Sequence, residues 1–131
     1  MNPISVVAAV IEVDGKILCV QRDKSKYDYI SYKYEFPGGK VEPGELKQDA
    51  LIREIQEELD YEITVEAPIG NFIYAYPDFS VHMHFYYCTA VTTDFTLNEH
   101  VHAQWLERVN LLNLDWAAAD LPIVEKLMQL K

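Results

Sequence analysis

The chain has 131 residues, half of them hydrophobic, and a formal net charge of −10. That length supports one hydrophobic core, so a single domain over 1–131 is expected, and the apolar content excludes a disordered chain. The acidic balance argues against binding a nucleic-acid polymer, but a small phosphorylated ligand remains compatible because a metal can supply positive charge locally.

No apolar run has the length of a membrane span, and the start MNPISVVAAVIEVDG lacks a basic leader region. A cytoplasmic protein without membrane contact is therefore expected. Ile4 to Val13 is rich in Val and Ile and reads as a strand covered on both faces. Asp14-Gly15 is a two-residue hairpin signal before a second strand, Ile17 to Gln21. Arg22 ends that strand, and the loop Asp23 to Lys33 carries three of the nine tyrosines. They either cover the core or offer a platform on which a base stacks.

From Tyr61 to Tyr76 the chain is strand-like, and Tyr76-Pro77-Asp78 marks a turn. Val81, Met83, Phe85 and Tyr87 then alternate with His82, His84, Tyr86 and Cys88, as in a strand with two different faces. His82 and His84 share a face, but with no third ligand apparent they read as a wetter sheet face, not a metal site. Cys19 and Cys88 sit in apolar segments and are expected as free buried thiols. Another strand is expected at Val101 to Leu106. The last element, Leu121 to Leu130, reads as an amphipathic helix with Pro122 in its first turn and Asp120 at its cap. Irregular alternation of strands and helices gives an α+β fold with a mixed sheet.

The most informative stretch is Gly38 to Asp60. Leu51, Ile52, Ile55 and Leu59 recur at helical spacing, while Glu54, Glu57 and Glu58 share an outer arc about 100° wide. Like charges at i,i+4 repel, and they lie near the helix C-terminus, where the dipole disfavours them. The arrangement is unfavourable unless a cation relieves it, and carboxylate oxygens suit a hard ion such as Mg²⁺. Ahead of the helix, Pro37-Gly38-Gly39 and Pro43-Gly44 make a tight loop that delivers Glu45 to the helix start.

Written out, the spacing is Gly39-x5-Glu45-x7-Arg53-Glu54-Ile55-x-Glu57-Glu58-x-Asp60-Tyr61. It resembles the signature of the Nudix hydrolases, a long motif with many fixed positions. Asp60 stands where that family usually has Gly, and Tyr61 where it has an aliphatic residue. A left-handed cap tolerates Asp at a small cost in stability. The segments Tyr34 to Lys40, Tyr76-Pro77-Asp78 and Ala119 to Pro122 resemble the MutT-type branch.

The resemblance implies an α-β-α sandwich and Mg²⁺, or Mn²⁺, dependent attack of water on a nucleoside triphosphate, giving monophosphate and pyrophosphate. An oxidised or modified nucleotide, 8-oxo-dGTP-like or a modified CTP, is the implied substrate, with nucleotide-pool sanitation in DNA repair as the role. Glu54, Glu57 and Glu58, with the Gly38 carbonyl, match its metal ligands, and Glu99 matches a Glu that completes the site or assists the base. Glu54 is the preferred general base and Glu99 the second choice. Arg53 matches the Arg that orients the glutamates, and Glu45 a residue that holds the loop and Arg53. Arg22, Asp78 and Asp120 match positions around the base, with Gly39 and Lys40 on the nucleotide and Phe36 and Phe79 as apolar walls. Two rivals remain: another nucleoside diphosphate-linked substrate, and a binding module without turnover. Monomer and homodimer are both compatible.

Overall fold

The computed structural model describes residues 2–130, so both end residues of the expected 1–131 domain lie outside it. Seven strands form one mixed sheet: β1 (Ile4–Val13), β2 (Lys16–Gln21), β3 (Tyr34–Glu35), β4 (Gly38–Lys40), β5 (Thr64–Ala75), β6 (Ser80–Thr89) and β7 (His102–Leu106). The main order is β3-β2-β1-β6-β5, with β4 added to β1 and β7 to β2. β1 runs parallel to β6 and antiparallel to β2 and β4. The β1–β2 hairpin turns through Asp14 and Gly15, both at positive φ, as the two-residue signal requires.

Helix α1 (Lys47–Leu59) covers one face of the sheet and α2 (Leu121–Gln129) the other, so the architecture is an α-β-α sandwich. On the α1 side, Ala50, Leu51, Ile55 and Leu59 pack with Val7, Ala9, Ile11, Leu18 and Val20. On the α2 side, Ile123, Val124 and Leu127 pack with Ala8, Val10, Phe85, Leu111 and Trp116. Alternate residues of β1 thus feed two cores, which explains its continuous apolar run. Cys19 and Cys88 are buried and free.

Three expectations change. Ile52 is 42% exposed, because it lies one residue past Leu51 and turns away from the sheet. Glu58 goes the other way: it is seven residues after Leu51, falls on the same side, and is buried. In β6 the alternation holds from Val81 to Phe85, but Tyr86 and Cys88 are buried as well, because that half of the strand is covered by the α1 core.

His82 bonds to Asn71 at 2.9 Å, and its ring lies tilted against His84 with centroids 4.1 Å apart. No helix among the described residues is long and apolar enough to cross a membrane.

Candidate active site

The loop before α1 is drawn against the sheet by glycine. A Cβ on Gly38 would collide with the Val7 carbonyl, so β4 can approach β1 this closely only without a side chain. A Cβ on Gly39 would collide with the Glu54 carboxyl. The second glycine therefore leaves the space that this carboxylate occupies.

Arg53 organises the helix and the loop together. Its Nε and Nη2 donate to the two oxygens of Glu45, at 2.9 and 3.0 Å, a paired fork geometry. Nη2 also donates to the Lys40 carbonyl at 3.1 Å, and Nη1 to Glu54 at 2.9 Å. The contact to Glu57 expected from i,i+4 spacing is longer, 3.4 Å. Glu45 further accepts the Glu42 N–H at 3.0 Å, and the Arg53 contact holds its carboxyl below the usual carboxylate range.

The three helix glutamates sit in different environments. Glu57 points to solvent. Glu54 is half-buried, and burial raises its carboxyl above the ordinary value despite Arg53. Glu58 is buried, and its Oε1 has no hydrogen-bond partner. Burial first, then the charges of Glu35, Glu54 and Glu99, push the Glu58 carboxyl up to about 9.

The loop that carries Glu99 is tied to the end of α1. Thr96 N–H donates to the Leu59 carbonyl at 2.8 Å. Asn98 uses its N–H on the Glu58 carbonyl and its side chain on the Glu57 carbonyl, both at 3.0 Å. These bonds satisfy carbonyls that a helix end leaves free, and they set Glu99 beside Glu58. Asp60 caps the helix at φ 47°, the expected left-handed conformation. Gln56 donates to its carboxylate at 2.7 Å.

A cleft of about 660 Å³ opens from this carboxylate end across the sheet. Gly38, Gly39, Lys40, Glu58 and Glu99 line it near α1. Phe36, Tyr76, Phe79, Met83 and Asp120 line it on the α2 side, and Arg22, Glu35 and His100 lie between. Asp78 is not part of the lining: it is exposed and accepts the Tyr29 hydroxyl at 2.7 Å. The Tyr-rich loop closes onto the turn after β5, with Tyr27 stacked on Tyr29, Tyr29 on Tyr76, and Tyr27 and Tyr76 against Phe79.

Asp120 is not a helix cap. It makes no capping bond at the start of α2; its Oδ2 instead accepts the Phe36 N–H at 2.9 Å. The short 3-10 turn Ala118–Asp120 aims the side chain at the sheet, away from the helix N–H groups. Among the described residues no bond to Oδ1 is seen, and Asp120 lines the cleft. Burial, with Glu35 nearby, raises this carboxyl well above its usual value.

The NUDIX domain model matches residues 1–127. The chain belongs to the Nudix family. Among its relatives, the CTP pyrophosphohydrolase of Escherichia coli (strain K12) is 37% identical over 131 residues, covering 100% of this chain and 96% of that protein. The 8-oxo-dGTP diphosphatase of the same organism is 25% identical over 130 residues, covering 99% and 100%. The solution structure of the E. coli ORF135 protein superposes with a TM-score of 0.84 at 36% identity, covering 99% of this chain and 91% of that one.

Among the described residues no three His, Cys, Asp or Glu side chains converge closely enough to hold an ion unaided. The donor set of this Nudix chain nevertheless fits a divalent metal. The orphaned Glu58 oxygen, three neighbouring carboxylates and the C-terminal end of a helix dipole all gain from a hard cation. Mg²⁺ or Mn²⁺ is therefore expected to raise the melting temperature by about 10 °C at a hundredfold excess over Kd, following RT ln(1 + [L]/Kd). Thermal melts with and without chelator check this, and an unchanged melting temperature counts against the metal site.

Sequence reasoning missed Glu35 and His100. Glu35 was legible as a charge between two aromatic residues in a short strand. Nothing local marked His100.

Proposed function

We propose that this Nudix chain hydrolyses a nucleoside triphosphate of guanine or cytosine type, 8-oxo-dGTP-like or a modified CTP, to the monophosphate and pyrophosphate. One observation carries the reading: a single cleft is lined both by the Glu58 and Glu99 carboxylates and by Asp120. The names of the two Escherichia coli relatives, a CTP pyrophosphohydrolase and an 8-oxo-dGTP diphosphatase, support the same substrate class.

Glu54, Glu57, Glu58 and Glu99, with the Gly38 carbonyl, are the groups that hold the metal. A divalent cation held by these groups would supply positive charge against the polyphosphate and favour deprotonation of the attacking water. Glu54 takes the proton of the attacking water, with Glu99 as the alternative. The water oxygen bonds to the β-phosphorus, the bridging oxygen leaves with the α-phosphate, and monophosphate and pyrophosphate result. Arg53 and Glu45 keep Glu54 aimed, Lys40 lines the cleft beside the carboxylates, and Arg22 lies between them and the base. Phe36 and Phe79 wall the base. Nucleoside monophosphate formation measured over 8-oxo-dGTP, CTP, UTP, dTTP, a nucleotide sugar and ADP-ribose, with pyrophosphate release followed on the triphosphates, tests the proposal. Fastest turnover of either diphosphate-linked compound overturns it.

Asp120 refines the choice of base. As a carboxylate it accepts only, which favours the N1–H and amino group of guanine or the amino group of cytosine. An amide at this position would both accept and donate. Asp120→Asn is therefore expected to change the kcat/KM ranking among guanine, cytosine and thymine triphosphates; an unchanged ranking removes Asp120 from recognition.

The same variant has a stability signature. Above pH about 4 the unfolded chain releases this proton while the folded chain keeps it, so Asp120 lowers stability as pH rises. Asp120→Asn should thus gain in melting temperature over the wild type as pH rises above about 4.

A further inference from the structure

We propose that His100 is a positioning residue that fixes Glu35, and through Glu35 aims Arg22 into the cleft. The inference rests on the proposed function for the cleft being where a nucleotide binds, but not on which nucleotide it is.

Three chain segments meet here because β2 pairs with both β3 and β7. Gln21 faces Tyr34 in one ladder and His102 in the other. Each ladder therefore ends next to a polar residue: Arg22 after β2, Glu35 at the end of β3, and His100 just before β7. The Val101 N–H donates to the Gln21 carbonyl at 3.0 Å, and the Arg22 N–H to the Lys33 carbonyl at 2.9 Å, so the three backbones are fixed. Glu35 is bonded on both oxygens. Oε1 accepts from Arg22 Nη1 at 3.2 Å, and Oε2 is 2.9 Å from His100 Nε2. A carboxylate only accepts, so the proton of that bond lies on Nε2.

The side chain of His100 is only 6% exposed. Its Nδ1 and the Nε of Arg22 are both buried with no partner among the described residues. Buried polar atoms are rarely left unbonded, and two such atoms flanking one carboxylate, beside the cleft, mark a place where a ligand supplies the missing partner. Without the His100 bond, Glu35 has one free oxygen in a wall that already holds Glu58, Glu99 and Asp120. Its carboxylate then turns away, and Arg22 loses its aim. The loss falls on substrate binding, because Arg22 lies on the substrate side and no proton transfer involves His100.

The geometry of the amide side chains gives the test. Glutamine can place its amide Nε2 near the position of the imidazole Nε2, whereas the Nδ2 of asparagine reaches only as far as the imidazole Nδ1. On whichever panel nucleotide the wild type turns over fastest, His100→Ala and His100→Asn are expected to raise KM about tenfold, the scale of a lost hydrogen bond to a charged group, with kcat little changed. His100→Gln should recover most of that loss. In a Glu35→Gln background, His100→Asn should cost nothing further. Melting temperatures recorded alongside separate folding from binding. Equal losses in the Asn and Gln variants, failure of both to fold, or an undiminished effect of His100→Asn beside Glu35→Gln overturns the proposal. A panel in which a diphosphate-linked nucleotide is fastest overturns the triphosphate reading alone, and the His100 comparison is still read on that substrate.

Discussion

Replacing Glu58 by glutamine is expected to yield a protein that is more heat-stable in chelator and nearly inactive. The carboxyl is buried, one oxygen is unpartnered, and Glu35, Glu54 and Glu99 all repel its charge. Between the ordinary value of 4.5 and about 9, the folded chain keeps a proton that the unfolded chain has released. Stability therefore falls as pH rises across that window. Glutamine does not titrate and keeps the shape, so at pH 7 the metal-free variant should gain on the order of 1–3 kcal/mol, roughly 4–10 °C in melting temperature. Activity should fall by at least about a hundredfold, because the amide carries no charge for the cation. The gain should vanish when Mg²⁺ is added, since the wild type then gains binding energy that the variant lacks. Melts in chelator and in Mg²⁺, with turnover measured on both proteins, check the three parts. A variant that is less stable in chelator contradicts this account of the site.

Glu54→Gln should lower kcat by roughly 10² or more, the low end of what losing a general base costs. Its carboxylate lies against the Gly39 backbone, holds one Arg53 bond at 2.9 Å, and is raised by burial toward a value better suited to taking a proton. KM should change less, because the amide oxygen can still bind a cation weakly. Glu99→Gln is the control. Glu99 is exposed on a loop pinned to the end of α1, so its loss should cost less than that of Glu54. A larger fall in kcat for Glu99→Gln would assign the proton transfer to Glu99.

The linear order of residues by itself determined the family, the sandwich architecture and the carboxylate helix. Long motifs at set spacing and strict apolar periods survive in any context, because helix and strand geometry repeats locally. Hence β1, the Asp14-Gly15 hairpin, the left-handed Asp60 and the Arg53–Glu45 partnership were all legible. Tertiary packing decided the rest. Helical spacing alone could not say that Glu58 turns toward the sheet while Ile52 faces water, because that depends on where the sheet meets α1. Asp120 read as a favoured cap, yet a 3-10 turn sends its carboxylate 84 residues back along the chain to the Phe36 N–H. Asp78 lies in the expected turn but is taken by Tyr29 from a loop 49 residues earlier. The Arg22–Glu35–His100 cluster was invisible for the same reason: its members come from the ends of three strands, and only sheet pairing brings them together.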